Sequence, residues 1–435
     1  MAKRKRVLSG MRPTGRLHLG HYFGALSNWL KLQNDSNGKY ECFFFIADWH
    51  ALTTHYEDTS SIARNTLQVA TDWLAAGLDP QKSTLFVQSS VLEHAELHVL
   101  LSMITPLSWL ERVPTYKEQI ENLTDRDLGT YGFLGYPLLQ SADIVMYGDP
   151  RHELLVPVGE DQVPHVELTR EVVRLFDATY RFFLNEKLFS DSKALDYIGQ
   201  RIKGFGSDRV PPPNTQNGPQ AANVQRQDVL DENNKQTRIA LLRREHRESG
   251  HENFLAQMGP YRKYFPQRRP ALVEPSAMLT ETPRLPGTDG RPMAKSYGNA
   301  IWLSDSPDEI RAKVRYMMTD PQRQRRTDPG RPEICPVFAW HNLFSPAGKV
   351  AEIDRDCRQA AIGCVDCKKI MAENLVQWIE PSQDRRREFE AHPGRVWDIL
   401  DAGGTKARAV ARRTMRRVRN AVFQWNEERK TAGGN

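Results

Sequence analysis

The stretch at residues 7–26, VLSGMRPTGRLHLGHYFGAL, limits the possible folds more than any other part of the chain. Its first residues are typical of a short strand, and the glycines and proline that follow predict a tight loop. A helix should come next, because apolar side chains recur with helical spacing at Leu19, Tyr22, Phe23, Leu26 and Leu30. Strand, loop and helix in this order point free N–H groups and the positive end of a helix dipole into the loop.

The loop is suited to a phosphate group. Gly20 leaves room for a ligand beside the backbone, and the imidazoles of His18 and His21 can donate hydrogen bonds to phosphate oxygens. Glycine-rich turns are also common in other proteins, so a plain strand, turn and helix with two surface histidines is the alternative. The sequence segments PTGRL and HLGH also resemble a known family. Together they resemble the ATP-binding signature of class I aminoacyl-tRNA synthetases, in particular the tryptophanyl- and tyrosyl-tRNA synthetases.

A second segment, GTDGRPMAKSYGN at residues 287–299, is similar to the mobile Lys-Met-Ser-Lys-Ser loop of the same family. A lysine on a glycine-flanked loop can close over a triphosphate and neutralise the charge that develops on leaving pyrophosphate. Pro292 replaces the first lysine of the family pattern and Ala294 its first serine, which leaves Lys295 as the main cation, helped by Arg291. The resemblance implies catalytic roles for His18, His21 and Lys295.

The segment YPLLQSADI at residues 136–144 predicts an amino-acid pocket. Tyr136, Gln140 and Asp143 fall on one helical face. A carboxylate on the wall of an apolar pocket needs a partner, and an indole N–H would satisfy it. The segment resembles the tryptophan pocket of tryptophanyl-tRNA synthetases, which implies that Asp143 accepts from the indole. A surface carboxylate is the alternative.

The resemblance implies further contacts. Tyr136 and Gln162 would hold the ammonium and carboxylate of the amino acid, and His50 lies at a strand end where substrate is expected. Capping of a helix is the alternative role of Glu160 and Asp161. The residues implied for ATP are Arg12, Pro13, Thr14, Gly20, His21, Lys117, Gly159, Glu160, Asp161, Met293, Ala294, Lys295 and Ser296.

Four of the five cysteines gather in the C-terminal half, at Cys335, Cys357, Cys364 and Cys367. This grouping predicts a metal site rather than a secreted disulfide scaffold. Four thiolates suit either structural zinc or an iron–sulfur cluster, and the spacing does not decide between them. The segment AIGCVDCKK resembles the corresponding segment of those tryptophanyl-tRNA synthetases that carry a [4Fe–4S] cluster. Four buried free thiols are the alternative.

The order of the elements predicts an α/β fold. Apolar runs at 42–47, 84–88 and 154–158 alternate with helical patterns, as in a Rossmann-type, doubly wound parallel sheet, and a C-terminal α-helical domain should follow. The expected division is residues 1–190 for the first part of the catalytic domain, 191–282 for a partly disordered insertion with one helix near 239–246, 283–305 for the mobile loop, and 306–435 for a helical anticodon-binding domain.

Composition sets the remaining expectations. No apolar run approaches ~18 residues, and the basic start MAKRKR lacks an apolar signal core, so a cytoplasmic protein without a membrane span is expected. The net charge of +6 suits an RNA partner, although solubility alone explains it. The resemblance implies tryptophan–tRNA ligase activity with L-tryptophan, ATP, Mg²⁺ and tRNA(Trp), in a homodimer that does not bind DNA. A tyrosyl-tRNA synthetase and an inactive RNA-binding or iron–sulfur paralogue are the alternatives.

Overall fold

The computed structural model describes residues 4–114, 116–117, 129–205, 221–266, 270–279 and 285–425, with the backbone alone for 221–231. Its centre is a five-stranded, fully parallel sheet in the order β3-β2-β1-β4-β5. The strands are β1 (Lys5–Met11), β2 (Tyr40–Ile46), β3 (Ser83–Val87), β4 (Leu154–Val158) and β5 (Pro275–Leu279). The predicted doubly wound α/β fold is thereby confirmed, and the direction of winding reverses between β1 and β4.

Helices cover both faces of the sheet. They are α1 (Leu19–His21), α2 (Ser27–Gln33), α3 (Asp48–His55), α4 (Ile62–Ala76), α5 (Glu93–Ser102), α6 (Leu107–Leu110), α7 (Tyr131–Leu134), α8 (Tyr136–Met146), α9 (Val163–Tyr180), α10 (Ser192–Gly199), α11 (Ala221–Ser249), α12 (His251–Met258), α13 (Pro307–Arg315), α14 (Pro336–Phe344), α15 (Ala347–Arg358), α16 (Cys364–Ala391) and α17 (Pro393–Phe423). A π-helical turn, Tyr22–Leu26, joins α1 to α2. Among the described residues, no helix is long and apolar enough to cross a membrane.

The apolar run of β2 supplies both layers of the core. Phe44 stacks on Trp29 with ring centroids 4.6 Å apart, whereas Phe43 stacks on Tyr147 on the opposite face at 4.9 Å. Successive side chains of a strand point to opposite faces, so a strand buried on both faces reads as an uninterrupted apolar run.

The stretch assigned to the insertion differs from expectation. Helix α11 is far longer than the single helix predicted near 239–246, and α10 and α12 join it around a small core that includes Ile198, Leu242 and Phe254. The strand β5 lies inside 191–282 and pairs with β4, so the insertion ends before residue 275. The part at 206–220, where disorder was predicted, lies outside the described residues.

The C-terminal helices are present, but the last of them returns to the sheet. Helix α17 packs on β3 so closely that a Cβ atom on Gly403 would lie 1.7 Å from the carbonyl oxygen of Leu85. Its inner side, with Ala411 and Val418, belongs to the same apolar cluster as the sheet. The predicted division at 306 therefore does not separate two cores. Trp425, just beyond the end of α17, is 54% exposed.

Candidate active site

Two adjoining cavities open at the carboxyl ends of β1 and β4, where the winding of the sheet reverses. The first has a volume of about 410 Å³, and its lining includes His50, Tyr136, Gln140 and Asp143. The second, of about 590 Å³, is lined by Thr14, His18, Gly20, His21, Gly24, Leu285, Met293, Ala294 and Lys295. Gly24 lines both cavities, so a ligand can extend from one into the other.

The second cavity brings the two signature segments together. The backbone N–H of Gly20 lies 3.4 Å from the sulfur of Met293. The Lys295 ammonium group donates to the carbonyl oxygen of Thr14 and lies 3.3 Å from its hydroxyl oxygen. Residues nearly 300 positions apart in sequence thus form one polar wall, with backbone N–H groups and a cation on the same side.

Burial keeps the two histidines of this wall neutral. Burial, with a smaller contribution from the nearby Lys295, lowers the pKa of His18 to about 4. Burial also lowers the pKa of His21 to about 3, with smaller contributions from His18 and Lys295. The rings stack with centroids 3.7 Å apart. At neutral pH each imidazole therefore offers one N–H donor and no charge, which leaves the positive charge of this wall to Lys295.

The first cavity ends on the buried carboxylate of Asp143, which is 1% exposed. Its oxygens accept from Gln88 at 2.8 and 2.9 Å, from His50 at 3.0 Å and from His94 at 2.5 Å. Burial raises the pKa of Asp143, but the adjacent His94 and His50 outweigh that effect and lower it to about 2. The cavity therefore presents an ionised acceptor on a wall that also carries apolar side chains such as Phe45 and Ile144.

Comparison with known proteins agrees with this geometry. The family described as tRNA synthetases class I (W and Y) matches residues 1–194 and 257–379. The chain belongs to this class I tRNA synthetase family. It is 46% identical to the tryptophan–tRNA ligase of Ralstonia nicotianae over 96% of this chain and 98% of that protein. The corresponding enzyme of Thermotoga maritima is 41% identical over 96% of this chain and 98% of its own length.

Solved structures give the same relationship. The tryptophanyl-tRNA synthetase of Campylobacter jejuni, complexed with ADP and tryptophan, has a TM-score of 0.68 and 25% identity, over 95% of this chain and 98% of that chain. A tyrosyl-tRNA synthetase of Archaeoglobus fulgidus is similar in fold, with a TM-score of 0.51 and 17% identity. The family match leaves out residues 195–256, which hold α11 and most of the small core around it, and residues 380–435, which hold the end of α16 and all of α17.

The other candidate residues of this class I synthetase divide into two groups. Gln162, Gly159 and Arg12 line the first cavity together with the pocket residues. Five residues lie outside the linings of both cavities, namely Pro13, Lys117, Glu160, Asp161 and Ser296. Arg291, expected to help Lys295, instead pairs with Asp289 at 2.7 Å. The roles of these residues in the synthetase stay predictions.

The four cysteines of the synthetase lie where α14, α15 and α16 begin or end. Burial raises the pKa of the Cys367 thiol to about 12, with smaller contributions from the nearby Cys335, Cys357 and Cys364. Arg323 lies 3.7 Å from the sulfur of Cys357. Within the described ranges, no three His, Cys, Asp or Glu side chains are arranged as a metal site.

Sequence reasoning missed the side chains that hold Asp143. Gln88 is fully buried, and His94 bridges Asp143 and the hydroxyl of Tyr147, which lies 2.7 Å from the other ring nitrogen. The position of Gln88 directly after β3 was an available signal, because polar groups at the carboxyl ends of parallel strands converge on the site. His94 lies inside a helix and gave no such signal.

Proposed function

We propose that this chain is a tryptophan–tRNA ligase, which activates L-tryptophan with ATP and transfers it to tRNA(Trp). One observation carries the proposal. The buried carboxylate of Asp143 is ionised, and it lies at the end of a cavity that adjoins the wall formed by His18 and Lys295. An indole N–H is a donor without an acceptor, so it complements this carboxylate. A phenyl side chain has no such donor, and a phenolic O–H differs from the indole N–H because its oxygen is also an acceptor.

The first step uses no side-chain nucleophile. A carboxylate oxygen of tryptophan attacks the α-phosphorus of ATP, the bond from that phosphorus to the bridging oxygen breaks, and pyrophosphate leaves with the bonding electrons. Lys295 stabilises the charge that develops on the leaving group, and His18, His21 and the Gly20 N–H group donate to phosphate oxygens. Fixed positions for both substrates supply the rest of the rate acceleration.

The second step transfers the acyl group. A ribose hydroxyl of the terminal tRNA adenosine attacks the carbonyl carbon of tryptophanyl-adenylate, and AMP leaves. Among the described lining residues of the nucleotide cavity, Lys295 is the one charged cation, so phosphate charge remains to be neutralised. Mg²⁺ fits this need, bound with ATP through phosphate oxygens, where it withdraws charge from them.

Tryptophan-dependent exchange of pyrophosphate into ATP tests the proposal. Exchange with tryptophan and not with tyrosine is the expected result. Exchange with tyrosine would establish the tyrosyl alternative, for which similarity of fold is the support. Absence of exchange with every amino acid, alongside binding of tRNA, would establish the inactive paralogue. The place of Lys295 beside Thr14 and His18 favours an active enzyme over that paralogue.

A [4Fe–4S] cluster on Cys335, Cys357, Cys364 and Cys367 is part of the proposal. The four thiols interact electrostatically, and Arg323 can donate to one of them. Thiolates gathered beside a cation are the donor set that iron–sulfur clusters use, although zinc binds the same set. The cluster would hold α14, α15 and α16 together and plays no part in the two chemical steps.

A homodimer is the proposed assembly, in the cytoplasm, where translation takes place. Leu92, Val99 and Met103 on and beside α5 share one helical side and are 49–70% exposed. Tyr131, which is 60% exposed, lies beside α5, with its ring centroid 6.2 Å from that of His98. Contiguous exposed apolar side chains of this kind mark surfaces that bind another protein.

A further inference from the structure

Helix α16 carries two buried polar side chains near its C-terminal end. Gln383 is 9% exposed and Arg386 is 7% exposed, and because they are three residues apart they share one face of the helix. Both reach residues that hold the polypeptide around His18.

Arg386 acts through a second buried residue, Asp72 of α4. The guanidinium group donates from Nη1 to Oδ1 of Asp72. The other carboxylate oxygen of Asp72 accepts the backbone N–H of Leu17 at 2.8 Å. Leu17 immediately precedes His18 in the sequence. Buried ion pairs contribute little net stability compared with apolar side chains of the same size. This pair fixes the backbone at the entrance to the phosphate-binding helix.

Gln383 holds the segment that lies against His18 from the other side. Its Nε2 donates to the carbonyl oxygen of Asp305 at 2.6 Å. The carboxylate of Asp305 accepts the backbone N–H of Trp302 at 2.9 Å. The segment at 301–303 pairs with the segment at 17–19 through two backbone hydrogen bonds, of 2.9 and 3.0 Å. Gln383 and Arg386 therefore hold the two sides of one short antiparallel contact.

We infer that Asp72, Gln383 and Arg386 are positioning residues for ATP. The inference rests on the proposed function. None of the three lines either cavity, so they act through Leu17 and Trp302. They set the position of His18 relative to Lys295, and a displacement of about 1 Å in a reacting group costs up to ~100-fold in rate.

Single substitutions on α16 test the inference against matched controls on the same helix. Gln383→Met removes the donor, and Gln377→Met makes the same change at an exposed position. Arg386→Met removes the guanidinium group, Arg386→Lys keeps its charge, and Arg387→Met is the exposed control. The measurements are the KM and kcat for ATP and for tryptophan in pyrophosphate exchange, together with the melting temperature.

For Gln383→Met and Arg386→Met we expect kcat/KM for ATP to fall ~10–100-fold. The KM for tryptophan should stay within about twofold, because a residue that acts on ATP alone leaves tryptophan binding intact. Arg386→Lys should recover part of the loss, and both controls should match the wild-type protein. If Arg386→Met does not fold, Gln383→Met carries the test.

Two results would overturn the inference. One is a folded Gln383→Met variant with the ATP constants of the wild type. The other is an equal rise in the KM for ATP and the KM for tryptophan, in proportion to lost thermal stability, which would assign a structural role alone. A wild-type protein without tryptophan-dependent exchange would instead refute the proposed function. In that case the inference would be tested by ATP binding, measured by equilibrium dialysis for the wild type and for Gln383→Met. Weaker ATP binding by the variant would support the inference, and equal binding would contradict it.

Discussion

The ammonium group of Lys295 donates to the main-chain carbonyl of Thr14, which lies 281 residues earlier in the chain. This contact brings the second signature segment against the first. Lys295 also lies 5.4 Å from the ring centroid of Trp302, so one lysine joins three parts of the nucleotide site. Phosphate oxygens are stronger acceptors for an ammonium group than a neutral carbonyl.

Lys295→Ala should therefore lower kcat for pyrophosphate exchange by ~100–1000-fold, the usual cost of removing one donor to developing charge. Binding of tryptophan alone should not change, because Lys295 lines the other cavity. Steady-state exchange and a tryptophan binding titration measure the two effects. Arg291→Ala is the control, since Arg291 pairs with Asp289, and should have little effect. Equal losses in both variants would contradict the role given to Lys295.

Asp143→Asn should raise the KM for tryptophan by ~10–100-fold, since a hydrogen bond to a charged group contributes ~1.5–3 kcal/mol. The KM for ATP should be unchanged. A tryptophan analogue with sulfur in place of the indole N–H provides the control within the same assay. The wild type should discriminate strongly against it, and Asp143→Asn should lose most of that discrimination. If the variant still discriminated between tryptophan and the analogue, a group other than Asp143 would be the one that recognises the indole N–H.

Buried histidines predict how stability depends on pH. Burial lowers the pKa of His18, His165, His246 and His341 to about 4 and that of His21 to about 3. In the unfolded chain the pKa of histidine is about 6.5. As pH falls from about 6.5 towards 4, the unfolded state binds protons that the native state does not. The free energy of unfolding should therefore rise with pH across this window and level off above it.

Urea denaturation between pH 4.5 and 7 measures this dependence. His246→Asn should flatten the curve, because it removes one histidine that is neutral in the folded protein and charged in the acid-unfolded chain. His246 lies far from both cavities in sequence and lines neither, so exchange activity should survive the substitution. The exposed His392 supplies the control, and His392→Asn should leave the slope unchanged. A wild-type midpoint independent of pH would contradict the prediction.

Protein purified without oxygen should be brown and contain about four iron atoms per chain, as a [4Fe–4S] cluster requires. Cys364→Ser should lose the colour and the iron. Cys42→Ala should keep both, because Cys42 is buried in β2. Iron analysis and absorption spectra provide the measurement. Colourless protein with bound zinc would replace the cluster with a structural zinc site.

Light scattering should give twice the mass of one chain. Met103→Glu places a charge in the patch on α5 and should shift the protein towards the monomer, because an unpaired charge is costly in an apolar interface. Tyr316→Glu is the matched control, since Tyr316 is 81% exposed and lies elsewhere on the chain. A monomeric wild-type protein, or dissociation by both variants alike, would reject this patch as the interface.

The sequence predicted the elements whose signals are local. The glycine-rich loop after β1, the fully buried strand β2 and the helix that carries Asp143 each depend on patterns within about ten residues, and the structure has these elements at the predicted residues. The edge strand β5 was missed because it is short, begins with a proline and is buried on few positions. Edge strands tolerate proline, and apolar and polar residues alternate only weakly along them. Such a strand is therefore hard to recognise within a polar stretch of sequence.

Long-range contacts account for the other differences. Several arginines of the last helix pair with acidic residues that are far away in the sequence, Arg408 and Arg412 with Glu93 and Arg419 with Glu96. Helical periodicity gives the side of the helix on which a charge lies and not the residue that faces it. The same limit applies to the ion pair between Asp72 and Arg386, whose members are 314 residues apart.

The contact of Gly403 with Leu85 has a consequence for biosynthesis. All five strands have been made by residue 279, but α17 covers part of one apolar face of the sheet, and Ala407, Val410 and Met415 belong to that cover. Exposed apolar surface promotes aggregation. That part of the face is therefore exposed for as long as a chain in synthesis has not yet reached α17.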